Sequence, residues 1–498
     1  MKLSTKKHAV TILLLLSLFC FFPERYVKPV SGAEKDESTA NEPLATEQSD
    51  VVGEIGDYDI TRQELEQRLV SQFQPNPYKL YTEQTKPMDA NSMLLLMLGE
   101  KALEMDARKQ GMLEDEDVKR AVDTYRQNQI VNLWVRNNVL KSQDRISATE
   151  DEIDNQLKTN SNLDHAKAKA LVENTKANKI LDQLYADLYK SSDVKKMTEN
   201  FAKVIEIHDR LLNHPKQPQT MKFIRNTQIS EELSDQERNM VLATFSGGKI
   251  TLKDWLETLC NYAPPSRPNN LNTKEGVSQL LDRAMMKPLI IAQVKTAGLD
   301  KDPAFLKQIR QMEDQTLLNN ERNKKYSEVK EPPKEEIEAF YNENKELFRA
   351  GRTLRIDQIW CKSLDAAKDV KNQIDTGGSF EEAKKEYAIN PDVQASLVNQ
   401  SSEGFFWFDL WKGEPNQILG PIRGFNPNGL NWRIVKILAK NQGKLQDFSP
   451  DLENNIKYLI MTEQADKGFA DYCMERLKKY PYEIYKDKVK DIDPTNVR

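Results

Sequence analysis

Histidine and cysteine are scarce in the sequence, which has four of each among its 498 residues. The cysteines Cys20, Cys260, Cys361 and Cys473 show no Cys-x-x-Cys spacing, and none of them lies near a histidine. Metal sites built from these residues need such clusters, so the sequence predicts neither a metal site nor a cofactor. Buried unpaired thiols are the favoured interpretation of the last three cysteines, with one free thiol or an intermolecular bridge as the alternatives.

Long hydrophobic runs are also missing. The apolar run from Ala9 to Phe22 is shorter than the roughly 20 residues that a membrane-spanning helix needs. Three lysines precede this run, and the small residues Ser31-Gly32-Ala33 follow it, a layout typical of a secretory signal peptide. We therefore predict that residues 1–33 are a signal peptide and that the protein is periplasmic or otherwise extracytoplasmic. The alternative is an uncleaved N-terminal anchor, which would hold the chain at a membrane.

The sequence has no excess of positive charge, with a formal net charge of −5 at pH 7. Nucleic-acid-binding proteins present basic surfaces, so nucleic acid is not an expected partner. Charged residues make up 30% of the chain and the mean hydropathy is −0.70, which predicts a helix-rich, well-solvated molecule with modest cores. Residues 34–50 have no aromatic residue, and we predict that they form a disordered tether.

Two stretches of the chain share an ordered series of features. Each begins with a short strand pattern and an Ile-Thr pair, at Thr61 and Thr251, with an acidic residue three positions later. This spacing is typical of a capping box at the start of a helix. Each continues with an apolar helix pattern that ends before Gly111 or Gly298, followed by a long amphipathic helix pattern. The shared order predicts a duplicated helical module.

The second copy is interrupted by a segment with mixed strand and helix patterns. Its predicted strands and helices are Leu354–Trp360, Leu364–Asp375, Phe380–Tyr387, Phe405–Phe408, Ile418–Ile422 and Trp432–Leu438. The prediction is an α+β chain that is predominantly α-helical, with a small α/β domain inserted in the second module. Its predicted boundaries are 51–225 for the first module, 226–349 plus 446–498 for the second, and 350–445 for the insertion.

These segments resemble the SurA/PrsA/PpiD group of extracytoplasmic chaperones, which carry a parvulin (PpiC-type) prolyl isomerase domain. Gly56 to Leu65 is similar to the opening of the SurA N-terminal domain, and Glu335 to Phe348 resembles the linker that enters parvulin domains. Residues 354–439 follow a parvulin order, including Gly-Gly-Ser-Phe and Asn-Pro-Asp. The resemblance implies SurA-like helical modules, a parvulin-like insertion and a folding factor that binds unfolded or nascent exported polypeptides.

The positions that match the family's catalytic residues carry other residues here. Parvulins usually have histidines in the first and last strands and an Asp or Cys in the turn after the second helix. The matching positions are Gln358, Arg433 and Asn390, and residues 350–445 contain no histidine. Rotation about an X–Pro bond has a barrier of about 18–20 kcal/mol, which a catalyst lowers by binding the twisted amide better than the planar one. We therefore expect weak or lost isomerase activity.

The resemblance also indicates aromatic residues that could contact a substrate. They are Trp360, Phe406 and Phe408, for which a place in the domain core is the alternative. Two other functions remain open from the sequence. One is an active prolyl isomerase with an altered hydrogen-bonding network, and the other is a non-chaperone assembly scaffold that has kept only the fold.

Overall fold

The computed structural model describes residues 50–79, 81–139, 143–160, 162–213, 223–426 and 429–494. The predicted signal peptide, and all of the predicted tether except Asp50, lie outside the described residues. The described residues divide into two compact units, one of residues 120–312 and one of residues 50–119 with 313–494. No described helix is both long enough and apolar enough to cross a membrane.

Helices dominate the described residues, as predicted for a mainly helical α+β chain. The strands β1 to β12 are, in order, Val51–Ile55, Tyr58–Thr61, Lys195–Lys196, Val241–Phe245, Gly248–Thr251, Arg349–Ala350, Thr353–Cys361, Ser396–Val398, Ile418–Asn426, Gly429–Asn441, Lys444–Leu445 and Tyr482–Ile484. The helices α1 to α18 are, in order, Arg62–Ser71, Ala90–Lys109, Glu116–Asn138, Gln143–Ile146, Glu150–Thr159, His165–Ser191, Phe201–Leu212, Asn226–Glu231, Asp235–Arg238, Leu252–Cys260, Lys274–Thr296, Pro303–Ser327, Lys334–Glu343, Leu364–Asp375, Phe380–Tyr387, Gln400–Glu403, Trp407–Trp411 and Pro450–Leu477.

The unit of residues 120–312 has an apolar core around the hairpin β4–β5 and the helices α7, α10 and α11. Trp255 is fully buried there, and its indole N–H donates to the Val277 carbonyl oxygen at 3.1 Å. That bond satisfies the polar atom of a large buried side chain. Thr251 caps α10, and its side chain and that of Asp254 form the predicted capping box.

The unit of residues 50–119 with 313–494 contains a similar arrangement. Thr61 and Glu64 form the predicted capping box at the start of α1, and α2 ends before Gly111, whose φ is +74°. Helix α2 packs along α18. The approach is closest at Gly99, where an added Cβ would lie 2.8 Å from the Cys473 carbonyl oxygen. Only a residue without a side chain fits at that crossing.

Each hairpin gains its third strand from a distant part of the chain. Strand β12 pairs antiparallel with β1, and β3 pairs antiparallel with β4. Both hairpins also change register after their first residue, between Val51 and Gly53 and between Val241 and Ala243. The two stretches that look alike in sequence therefore fold into the same elements, down to the position of one irregularity in the ladder.

The compact units follow these pairings and do not coincide with the predicted modules. Residues 51–119, the start of the first predicted module, belong to the unit that includes β12 and α18. The boundaries at 225/226, 349/350 and 445/446 describe repeats along the chain and stay predictions.

The inserted segment contains a four-stranded antiparallel sheet with the order β8-β7-β10-β9. Helices α14 and α15 have the predicted bounds and pack on one face of this sheet, against Ile359, Cys361 and Ile434. The predicted strands near its two ends are also present as β7, β9 and β10, and all three are longer than predicted.

The predicted aromatic strand Phe405–Phe408 is wrong. Residues Gly404–Phe406 form a turn of 3₁₀-helix that leads into α17, and the unpredicted strand β8 takes the edge of the sheet. Phe406, Trp407 and Leu410 are buried, a spacing that suits one face of a helix. A short apolar run does not distinguish a strand from a buried helical turn.

Candidate functional site

The candidate site lies on the face of the sheet opposite α14 and α15. Side chains alternate between faces along a strand, so Gln358 and Trp360 of β7 lie on the same face. In the antiparallel pairing Trp360 faces Arg433, and Gln358 faces Val435. The register thus places Gln358 and Arg433 on the same face as diagonal neighbours, and their catalytic role stays a prediction.

Arg433 is the centre of a buried polar network and is only 1% exposed. Its Nη1 donates to Oε1 of Gln358 at 2.9 Å and lies 3.5 Å from Oε1 of Glu403. Its Nη2 forms an ion pair with Oε2 of Glu403, which is also buried. The guanidinium carbon lies 4.9 Å from the centre of the Trp360 ring. The positive charge is therefore neutralised and enclosed, which makes its burial tolerable.

A glycine makes room for this network. At Gly424 on β9, an added Cβ would lie 2.5 Å from the guanidinium carbon of Arg433 and 2.7 Å from the Trp360 ring. Any other residue at that position would push the guanidinium out of its place. The position of Arg433 therefore depends on the glycine in β9 as well as on the ion pair.

Glu403 was not among the residues identified from the sequence. It belongs to the short helix α16, and no sequence spacing relates it to Arg433. The available signal was physical, because an arginine at an inward-facing strand position requires a buried acceptor of opposite charge.

Asn390 lies apart from this network. It is exposed, and its Oδ1 accepts a hydrogen bond from the Asp392 backbone N–H at 3.1 Å. Among the described residues no hydrogen bond joins Asn390 to Gln358 or Arg433. Its turn is fixed to β7 by the Ile389 N–H, which donates to the Trp360 carbonyl oxygen at 2.8 Å.

The three aromatic candidates already have partners within the protein. Trp360 packs against Arg433, and Phe408 is half-buried beside Trp407 and Leu410. Phe406 stacks on Phe73, with ring centres 5.5 Å apart and 13° between the ring planes. Their role in substrate binding stays a prediction.

The three described cysteines are unpaired. Burial raises the pKa of Cys361 to about 11 and that of Cys473 to about 12, so both thiols stay protonated at neutral pH. Burial also raises the pKa of the half-buried Cys260. These groups have the character of small core side chains, the interpretation favoured from the sequence.

Comparison with known proteins supplies a family for part of the chain. Residues 332–449 match the family model described as the PPIC-type PPIase domain. This range contains Gln358, Asn390 and Arg433 together with Glu403.

Two relatives match a larger part of the chain, and the names of both place them provisionally among the peptidyl-prolyl cis-trans isomerases. A Helicobacter pylori protein is 29% identical over 182 residues, covering 36% of this chain and 59% of its own length. Cbf2 of Campylobacter jejuni is 27% identical over 236 residues, covering 44% of this chain and 83% of its own length. The match thus spans about three-fifths of the Helicobacter relative.

Solved structures give weaker overlaps. One comes from a study of PEB4 and Cj1289, two SurA-like chaperones of Campylobacter jejuni, and is 19% identical with a TM-score of 0.25, covering 49% of this chain and 99% of the other. PrsA of Bacillus anthracis is 18% identical with a TM-score of 0.21, covering 38% of this chain and 85% of the other.

Proposed function

We propose that this chain, a chaperone-type chain of the SurA/PrsA kind with a PPIC-type parvulin domain at residues 332–449, binds unfolded exported polypeptides. We also propose that it has little or no isomerase activity. The observation that carries the loss of activity is the enclosed network of Gln358, Arg433 and Glu403. The proposal includes export, for which the pattern of residues 1–33 is the support.

The network occupies the hydrogen-bonding capacity that catalysis would need. Stabilising a twisted X–Pro amide requires groups aimed at the amide from a preorganised pocket. Here the side-chain carbonyl of Gln358 accepts from Arg433, and the Glu403 carboxylate is paired with the same guanidinium. Using the Glu403 carboxylate for a substrate would leave the buried charge of Arg433 without its partner, which is costly, and using the Gln358 carbonyl would remove one acceptor of the same guanidinium.

Two parallel measurements on the chain without residues 1–33 test this proposal. The first is light scattering by an aggregating unfolded protein, which we expect the chain to suppress at a small molar excess. The second is isomerisation of a proline-containing peptide, which we expect to proceed near the uncatalysed rate. The absence of suppression at high excess would disprove client binding, and a large acceleration of isomerisation would disprove the loss of activity.

A second candidate function is prolyl isomerisation through an altered network. The support is that the names of both relatives assign them to this enzyme class. On this reading Gln358→Ala and Asn390→Ala would each reduce a measurable rate. If both variants keep the full rate, these residues take no part in catalysis.

A further inference from the structure

The parvulin-like domain has an apolar pocket that is filled by the chain's own Phe73. The pocket is lined by Phe405, Phe406, Phe425 and Leu430, and Phe73 is 1% exposed inside it. Phe73 stacks on Phe406 and meets Phe405 edge-on, with ring centres 5.6 Å apart. A buried aromatic side chain held by two aromatic contacts is the strongest kind of apolar anchor.

The segment after Phe73 continues across the same domain and contains Pro75 and Pro77. Tyr81 closes it, since its hydroxyl accepts from the Asn76 N–H at 3.2 Å and its ring meets Phe405 edge-on at 5.1 Å. The backbone of Tyr81 is held as well, because Nε2 of Gln400 donates to its carbonyl oxygen at 2.6 Å. We call the described residues 73–79 and 81 the proline segment.

Gly404 lets the proline segment approach closely. Its φ is +56°, which favours glycine, and an added Cβ would lie 3.4 Å from the Tyr81 hydroxyl and 3.6 Å from the Pro75 Cα. Gly404 lies between Glu403, which pairs with Arg433, and Phe406, which holds Phe73. One short turn therefore contacts both the buried network and the proline segment.

The proline segment can leave this pocket without breaking a helix or a strand. It lies in the connection between α1 and α2, and its described residues belong to turns and irregular structure. Its Lys79 is exposed, and Nζ of this residue lies 4.7 Å from the centre of the Phe405 ring.

We propose that this pocket is a peptide-binding site and that the proline segment is its built-in occupant. The ligand it takes is an extended polypeptide with an aromatic residue two positions before a proline, the chemistry of Phe73-Gln74-Pro75. A client stretch of this kind binds by displacing the proline segment, so the site is closed until a client is present. This inference rests on the proposed function, because it names where a client binds.

Binding of a free peptide tests the proposal. The probe is a labelled peptide with the sequence of residues 71–82, and its binding to the full mature chain is measured by fluorescence anisotropy. A tethered occupant competes at an effective concentration in the millimolar range, so the wild type should bind the probe weakly. Phe73→Ala removes the anchor and should bind it at least about tenfold more tightly.

Tyr78→Ala is the matched control, because Tyr78 lies in the same segment but is 73% exposed. It should bind the probe as weakly as the wild type does. Adding Phe406→Ala to Phe73→Ala should abolish binding, since Phe406 forms a wall of the pocket. Equal affinity of the wild type and Phe73→Ala, or no binding to Phe73→Ala, would overturn the proposal.

Circular dichroism establishes that each variant is folded. If Phe73→Ala does not fold, Tyr81→Ala takes its place, because it removes the edge-on contact with Phe405 from the tethered segment and leaves the pocket walls and the probe unchanged. It should strengthen probe binding about threefold, and an unchanged affinity would overturn the proposal. The aggregation assay is run on the same variants. Probe binding that responds to Phe73→Ala without any suppression of aggregation refutes the proposed function alone, and suppression with an unresponsive probe refutes the pocket alone.

Discussion

The two hairpin–helix stretches, residues 51–111 and 241–298, share their elements and differ in what they bury. Leu65 in α1 and Trp255 in α10 follow their capping threonines by the same four residues, and both are fully buried. Counting back from Gly111 and Gly298, Glu104 in α2 corresponds to Ile291 in α11. The first stretch thus contains a carboxylate where the second has a half-buried aliphatic side chain.

Buried charge in the first stretch extends well beyond this position. Glu100 receives hydrogen bonds from Arg68 and Arg322, and Asp314 receives them from Arg108 and from Tyr58. The second stretch achieves a comparable fold with an apolar core. The two stretches thus share their capping and turn geometry and their elements, although the chemistry of their cores differs. Four predictions test this conclusion.

The largest effect is expected at the paired core positions. Trp255→Ala should lower the free energy of unfolding by about 4 kcal/mol, and Leu65→Ala by about 3 kcal/mol, because each leaves a cavity that the surroundings fill incompletely. Urea unfolding followed by circular dichroism measures both. If Leu65→Ala lowers the free energy of unfolding more than Trp255→Ala does, the two cores do not contribute to stability as expected at this position.

Asp314→Ala should cost about 3 kcal/mol, since it leaves the largely buried Arg108 with one carboxylate fewer and removes the acceptor of Tyr58. The control is Lys253→Ala in the second stretch, where the Lys253–Glu257 pair is about half exposed and should contribute less than about 1 kcal/mol. The same denaturation experiment compares them. Similar losses for both variants would mean that the buried network is no stronger than a surface pair.

The first stretch should also respond to pH. Burial raises the pKa of Glu104 to about 7, with Asp314 and Glu100 adding to this rise and Lys101 opposing it. Because the folded pKa lies above the usual value of 4.5, the stabilising contribution is complete below about pH 4.5 and is lost as the pH rises through about 7. The loss should amount to about 1–3 kcal/mol.

Glu104→Gln should remove this dependence, because an amide does not titrate. Unfolding at pH 5, 6, 7 and 8 measures the difference between the wild type and the variant. Parallel curves across this range would show that Glu104 keeps its ordinary pKa in the folded protein.

The smallest effects are expected where the two stretches agree. Thr61→Ala and Thr251→Ala should each cost about 1 kcal/mol, because each removes one capping box. The expected result is near equality of the two losses, measured by thermal unfolding. A difference of about 1 kcal/mol between the two losses would contradict the view that the caps are equivalent.

The sequence was sufficient for elements whose signals are local. The bounds of α14 and α15 were predicted correctly because each begins at a serine cap and has its apolar residues on one face. Both hairpins and their capping boxes were likewise apparent from a few adjacent residues. The aromatic run at 405–408 was assigned to a strand because its helical spacing is too short to be distinctive.

Contacts between residues that are distant in the chain could not be predicted from local sequence patterns. Strands β3 and β12 have two and three residues, too few to show a period, and their partners lie far away in the chain. The pairing of Arg433 with Glu403 and the docking of Phe73 on Phe406 depend on where loops pass in space. The sequence therefore predicted the positions of the candidate site but not the groups that enclose them.

The pairing of β12 with β1 also means that the first sheet cannot be completed until the end of the chain has been synthesised. Glu54 of β1 and Tyr485, which follows β12, are joined by a hydrogen bond across 431 residues. At synthesis rates of 5–20 residues per second, the first hairpin waits roughly 20 to 90 seconds for its third strand. During that interval the edge of β1 has no third strand, and an unpaired strand edge is a place where any extended chain nearby can pair.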